Sequence, residues 1–197
     1  MAGRIARLLT IALVAAAMAG CGTSKPARFY TLNSTATADG ATAMRGTVAV
    51  GPVSIPAAVD QPAFVVQVEP NRVEVDEFNR WAAPLGDIIA RAVAGDLVVL
   101  LGAADVTVVP LENFDPAYKV AISVQRFESV NGDAATLDAV WTVRRAATGE
   151  SWSGRTVARE AASGTGFDAL AAAHSRALAK LSQDIAAAIR TEARKKL

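Results

Sequence analysis

The chain has 197 residues, 52% of them hydrophobic, and its 20 basic and 19 acidic side chains nearly cancel in charge. That balance gives no electrostatic reason to expect binding to nucleic acid or to a strongly anionic surface. With one cysteine and one histidine, the chain also lacks the ligands of an ordinary zinc site, so the sequence predicts no metal and no cofactor.

The first 20 residues are predicted to be a signal peptide of the lipoprotein type. Arg4 and Arg7 precede an apolar run over residues 8–17, which is too short for a bilayer-spanning helix of roughly 20 residues. Two small residues then stand directly before Cys21, whose thiol is the expected acceptor of a diacylglyceryl group. The segment resembles a bacterial lipoprotein box, with Met18 where Leu is most usual.

Cys21 is therefore predicted to be lipidated and to begin the mature chain. The alternative is an ordinary signal peptide with an incidental cysteine, which would leave an exposed, unpaired thiol in an oxidising compartment. Removal of residues 1–20 leaves 177 residues, and the loss of two arginines turns 20 basic residues into 18, against 19 acidic ones. Residues 21–27 are predicted to be the lipidated N-terminus and a short leash, and residues 28–197 a single domain.

Hydrophobic periodicity divides this domain into strands and helices. In chain order, the predicted elements are a strand at 28–32, a strand at 47–56, hairpin strands at 65–68 and 72–75, a helix from Leu85 to near Gly102, a short strand at 106–109, three strands at 118–127, 136–144 and 152–158, and a long helix from about Thr165. The order predicts an α+β fold: one domain with a mixed, largely antiparallel sheet and two principal helices packed on it.

Two details of the strands carry expectations of their own. Pro52 has no N–H to donate, so its strand is predicted to lie at an edge of the sheet or to contain a bulge. In the second hairpin strand, alternation predicts that Val73 and Val75 are buried while Glu74 and Asp76 face solvent.

No set of residues in the sequence suggests catalysis. His174, the only histidine, falls on the apolar stripe of the last helix, which favours a structural role. The segment Gly164-Thr165-Gly166 lacks the lysine and the spacing of a nucleotide-binding loop. The acidic residues near Glu74 are interrupted by valine, which favours a solvated strand face over a metal site. The sequence therefore predicts a protein that is not an enzyme.

Four segments carry a family resemblance: GPVSIP, DQPAFVVQ, NRVEVDEFNRWAAPL and FDALAAAHSRALAKLSQDIAAAI. In this order they resemble the ABC-type transport auxiliary lipoprotein family, also called the PqiC or YmbA-like family. The resemblance is most specific at Asn71-Arg72 and the following Phe78, Arg80, Trp81 and Pro84-Leu85.

The resemblance implies a lipoprotein on the periplasmic face of the outer membrane of a Gram-negative bacterium. It further implies that the protein works with an MCE-domain protein and ABC transporter components in lipid transport between membranes, and so supports membrane integrity. The sequence features alone would equally fit a general envelope scaffold lipoprotein without a transport role.

Arg72, Arg80 and Trp81 are the candidate partner-binding residues, since Trp and Arg often carry binding energy at protein interfaces. The alternative is that Trp81 and Phe78 cover the core while Arg72 and Arg80 pair with Glu74, Asp76 or Glu77. A homo-oligomer is also predicted, because the strand beginning near Val48 is expected at an edge that could pair with another chain.

Overall fold

The computed structural model describes residues 25–109 and 115–194. The signal peptide, Cys21 and residues 22–24 of the leash lie outside the described residues. The elements, numbered in chain order, are the strands β1 Arg28–Tyr30, β2 Met44–Ser54, β3 Ala63–Glu69, β4 Arg72–Trp81, β5 Gly102–Val108, β6 Tyr118–Val130, β7 Ala134–Arg145 and β8 Ser151–Ala161, and the helices α1 Leu85–Leu101 and α2 Phe167–Arg194.

The sheet is built around β6. Among the described residues, all eight strands belong to one sheet. On one side of β6, β7 and then β8 follow in antiparallel order and form a meander. On the other side the sheet divides: β2 pairs in parallel with the first half of β6 and leads to β5, while β3 meets β6 at Gln67 and Val130 and leads to β4 and β1. The predicted α+β fold with a mixed sheet is confirmed.

Both helices pack on one face of this sheet. The second helix lies across β7 and β8, the first across β2 and β5, and the two helices contact each other. Their apolar residues recur at helical spacing and are fully buried; examples are Ile89, Val93 and Leu97 in α1 and Leu178, Leu181 and Ile185 in α2. We call the opposite face of the sheet the outer face. Within the described residues, neither helix combines the length and apolar character needed to cross a membrane.

A buried carboxylate ties the loop after β1 to the helices. Asp96 of α1 has no exposed surface. Its Oδ1 accepts hydrogen bonds from the Ser34 hydroxyl and from the backbone N–H groups of Thr35 and Ala36 at 2.8–2.9 Å, and its Oδ2 accepts one from Ser182 of α2 at 3.0 Å. Because every partner is a donor, both oxygens of the buried carboxyl group are satisfied, and the group holds the loop against both helices.

The sequence predicted either an edge position or a bulge at Pro52, and the second of these is observed. A register shift between Val50 and Val53 takes Pro52 out of the ladder, so the bulge is confirmed. The edge position is wrong, because β2 lies between β5 and β6 and pairs with both. The strand that starts near Val48 is therefore an inner strand of the described sheet, with neighbours on both sides over residues 48–50.

The predicted burial of Val73 and Val75 is also wrong. Their exposed fractions are 56% and 48%. In β3 the residues that turn toward the helices are Phe64 and Val66, which pair with Asp76 and Glu74. Directly opposed residues of an antiparallel pair share a face, so Glu74 and Asp76 are on the helix side of the sheet. Val73 and Val75 alternate with them along β4 and therefore lie on the outer face.

Candidate functional site

The base of the β3–β4 hairpin is fixed by a cluster of aromatic rings. The indole of Trp81 stacks on Phe64, with ring centroids 4.3 Å apart, and meets Phe127 edge to face at 6.1 Å. Phe64 also contacts Tyr30 of β1 and Phe167 of α2 edge to face. Trp81 is 5% exposed, so this candidate partner-binding residue lies in the core and not on the surface.

Arg72 stands at the turn of the hairpin and is exposed. Its guanidinium donates a hydrogen bond to Glu69 Oε1 at 2.9 Å, and both side chains are more than half exposed. An ion pair so open to water contributes at most about 1 kcal/mol to stability. Arg72 also lines a shallow outer-face groove of about 320 Å³ between the hairpin and β6, together with Val65, Val73 and Glu128.

Arg80 is exposed on the outer face of β4 and is held there by its backbone. It stands between Phe29 of β1 and Ala63 of β3 in the ladder. In the part of the chain that the structure describes, its guanidinium has no hydrogen-bond or ion-pair partner. Neither Arg80 nor Arg72 pairs with Glu74, Asp76 or Glu77, so the pairing expected with these three carboxylates is not what positions the arginines.

Asp76 shapes the backbone of β4 between the two candidate residues Arg72 and Arg80. Its Oδ1 accepts the N–H groups of Phe78 and Asn79, both at 2.9 Å, and this local turn produces the register shift between β3 and β4. Burial by itself would raise the pKa of the Asp76 carboxyl, but the side-chain and backbone hydrogen bonds of Asn79 lower that pKa overall. Phe78 is left 43% exposed beside this turn, so it does not cover the core as the alternative expected.

The outer face of the meander carries ion pairs that sequence reasoning missed. Asp138 is buried and receives two hydrogen bonds, at 2.8 and 2.6 Å, from Arg155 of the next strand. The hydrogen bond from Arg155 is the main reason that the pKa of Asp138 is lowered. Arg126 pairs with Glu128 on the same face. Alternating charges along β6, β7 and β8 were the available signal, since residues two apart in a strand share a face.

His174 has a structural environment. It is fully buried in α2, its ring stacks on Phe127 with centroids 3.7 Å apart, and Nε2 lies 2.8 Å from the Ser129 hydroxyl. Burial lowers the pKa of His174 from its ordinary value of 6.5 to about 3, so the ring is neutral at physiological pH. Among the described residues no group of three or more His, Cys, Asp or Glu side chains is placed to hold a metal ion.

Comparisons with known proteins agree with this fold. A sequence profile of the ABC-type transport auxiliary lipoprotein component matches residues 30–186. The crystal structure of protein XCC0632 from Xanthomonas campestris superposes with a TM-score of 0.72 at 22% identity, covering 87% of this chain and 100% of that one. Another crystal structure, of an uncharacterized protein, gives a TM-score of 0.69 at 18% identity over 84% of this chain and 99% of that one. A search of curated proteins found no match.

Proposed function

Because the chain belongs to the ABC-type transport auxiliary lipoprotein family, we propose that it is a non-catalytic accessory subunit of an MCE/ABC-type system that moves lipids between membranes. In this role it supports envelope integrity. The observation that carries the proposal is the family match over residues 30–186, which includes the whole hairpin and most of both helices.

The proposed location is the periplasmic face of the outer membrane. Cys21 is the proposed lipidation site, after a signal peptide of residues 1–20, and residues 21–27 connect the lipid to the domain at 28–197. Several acyl chains hold a protein to a bilayer far more firmly than one chain does. Gly22, and not Asp, follows the cysteine, so the inner-membrane retention signal of enteric bacteria is missing. Labelling with a palmitate analogue tests the lipidation, with Cys21→Ser as the control. Density fractionation of the membranes tests the outer-membrane location.

The proposed partner surface is the outer face of the hairpin. Arg80 lies there, and Arg72 stands at the turn of the hairpin, where it lines the outer-face groove. The ladder fixes the backbones of both arginines, and both side chains are exposed. Arginine is among the residues that most often dominate binding energy at interfaces. Trp81 supports this surface from beneath through its stacking on Phe64, without reaching a partner itself.

A homo-oligomer remains part of the proposal, with a different edge from the one expected. The strands with one free side are β1, β5 and β8, since each pairs with a single neighbour in the described sheet. Unpaired N–H and C=O groups along such an edge can accept another strand. Light scattering of the mature protein in detergent tests this assembly, and a monomer at all concentrations would contradict it.

Affinity purification from gently solubilised membranes tests the function itself. The lipidated wild-type protein is expected to co-purify with an MCE-domain protein and an ABC permease, and its deletion should sensitise cells to membrane stress. The alternative is a general envelope scaffold, for which neither partner would be enriched over a Cys21→Ser control while the envelope defect persists.

A further inference from the structure

The leash meets the folded domain beside the hairpin. Lys25, the first described residue, lines a cavity of about 360 Å³ together with Arg28, Phe78 and Asn79. Its ammonium is close enough to help lower the pKa of Asp76 in the same turn. Cys21 stands four residues earlier, and a fully extended chain spans at most about 14 Å over that number of residues. A lipid on Cys21 therefore keeps the bilayer surface within that distance of Lys25.

Two phenylalanines are exposed at this same place. Phe29 of β1 is 64% exposed and Phe78 of β4 is 43% exposed. Phe64 and Phe127, by contrast, are at most 5% exposed. Exposed side chains of this size need a reason when they cluster, because they leave apolar area in water. Their strands pair directly, and β1 is the outermost strand of this branch of the sheet.

We propose that Lys25, Arg28, Phe29 and Phe78, together called the tether edge, insert into the headgroup region of the bilayer that holds Cys21. This inference rests on the lipidation in the proposed function. The rings enter the boundary between headgroups and acyl chains, while the two cationic side chains extend along apolar surface and place their charges among the headgroups. The domain then stands with β1 toward the membrane and β8 away from it.

The lipid anchor on Cys21 makes the small contact of the tether edge sufficient to orient the domain on the bilayer. Once Cys21 is anchored, insertion of the rings is an intramolecular event with a high effective concentration, and no separate affinity for the membrane is required. The nearly neutral mature chain agrees with this arrangement, since the apolar rings carry the contact and general attraction to anionic lipid is not needed. Arg80 stands directly opposite Phe29 in the ladder, so a protein partner that contacts Arg80 would bind at the membrane surface.

The single cysteine provides a clean test. In the lipidated chain Cys21 is acylated at its thiol, so a cysteine introduced at another position is the only group that a maleimide–NBD dye can label. The variants are Phe29→Cys and Phe78→Cys, with Val157→Cys as a matched control: Val157 is 62% exposed and lies on β8, at the opposite end of the strand order. Each protein is reconstituted into vesicles of phosphatidylethanolamine and phosphatidylglycerol.

The expected result is a blue-shifted emission at positions 29 and 78, with quenching by lipids that carry a shallow nitroxide and at least a twofold lower sensitivity to aqueous iodide than at position 157. Equal sensitivity to iodide at all three positions would overturn the inference. Shielding from iodide without quenching by lipid would also overturn it, since that pattern indicates a protein contact. Flotation of the same samples distinguishes failure of the lipid anchor from failure of the inserted tether edge. Protein that does not float with the vesicles contradicts both the lipid anchor and the inference. Protein that floats but carries water-exposed labels contradicts the inference alone.

Discussion

The β3–β4 hairpin and the β6–β8 meander are both antiparallel and both alternate apolar with polar residues, yet they use their apolar residues differently. In the meander, Leu137 and Val143 have no exposed surface, because α2 lies across β7 and β8. In the hairpin, Val73 and Val75 are about half exposed. The residues of the neighbouring strand β3 that face the helices are Phe64 and Val66, and the two valines lie on the opposite face. Alternation thus determines which side chains share a face, and the packing of distant elements determines which face is covered.

This difference separates the part of the domain that forms the core from the part whose side chains are exposed to a partner. The meander and the two helices form the core of the domain, with Asp96 and His174 buried between them. The hairpin reaches that core through Val66 and the stacked rings of Phe64 and Trp81, while the residues at its turn are exposed. Its outer face can therefore bind a partner without any cost to the fold.

The largest expected effect comes from Trp81→Ala at the base of the hairpin. Removing a buried indole leaves a cavity against Phe64 and Phe127, and such changes cost about 3–5 kcal/mol of unfolding free energy. Val73→Ala, on the exposed part of the same strand, is the control and should change stability by about 0.5 kcal/mol or less. Urea unfolding of the signal-free domain measures both. Equal and small losses would place Trp81 outside the core.

Asp96→Ala is expected to cost somewhat less. The substitution removes the acceptor of four hydrogen bonds. Ser34 and Thr35 are exposed and Ala36 is half-buried, so water can replace the carboxylate there. Ser182 also donates to the backbone carbonyl of Leu178, so the expected total loss is about 1–3 kcal/mol. The loop around Thr35 should also become susceptible to protease. Asp105→Asn, at an exposed position of β5, is the control and should leave both unfolding and proteolysis unchanged.

Acidification should destabilise the folded domain through His174. The pKa of this side chain is about 3 in the fold against 6.5 ordinarily, so the unfolded chain binds the extra proton first. Stability is therefore fully present above pH 6.5 and declines as pH falls toward 3, by up to about 1.4 kcal/mol per pH unit. Between pH 6 and 5, carboxylates such as Asp138, whose pKa values are lowered, do not yet titrate. His174→Gln should flatten the slope in this interval, and an unchanged slope would contradict the assignment.

The smallest effect on stability is expected from Arg72→Ala and Arg80→Ala. One guanidinium makes an exposed ion pair with Glu69, and the other has no partner among the described residues, so each change should alter unfolding by about 0.5 kcal/mol or less. Co-purification with the MCE-domain protein should nevertheless fall. Arg159→Ala, which removes an exposed ion pair with Asp133 on the meander, is the matched control and should leave co-purification intact. A marked loss of stability in either hairpin variant would make these arginines structural.

Much of the fold was predictable because its signals are local. The helix from Leu85 to Leu101 follows a clear apolar periodicity, and the meander turns come at glycine-containing pairs. Local sequence gave no information on the position of β2, because a proline at a bulge and a proline at an edge have the same pattern. Which face Val73 occupies depends on the register of β4 against β3, where Phe64 turns toward the helices, and that register is not contained in the sequence of either strand alone.

The candidate site was predictable in part for the same reason. The segment around Arg72, Arg80 and Trp81 was distinctive in the sequence, but only the structure separates the two exposed arginines from the buried tryptophan. The exposure of Phe29 and Phe78 could not be read from residue type, since aromatic residues are ordinarily buried. The Asp138–Arg155 pair depends on the register of β7 and β8, which no single segment contains.

Site-specific photo-crosslinking in living cells tests the central claim most directly. A benzoylphenylalanine at position 80 places the crosslinker on the outer face of the hairpin, and one at position 72 places it at the hairpin turn beside the outer-face groove. The same residue at position 157 or 159 places it on the meander. We predict crosslinks to the MCE-domain protein from the two hairpin positions and none from the two meander positions, with equal amounts of each protein in the membrane. Crosslinks to that protein from the meander alone, or from neither region while the protein is correctly lipidated, would contradict the account.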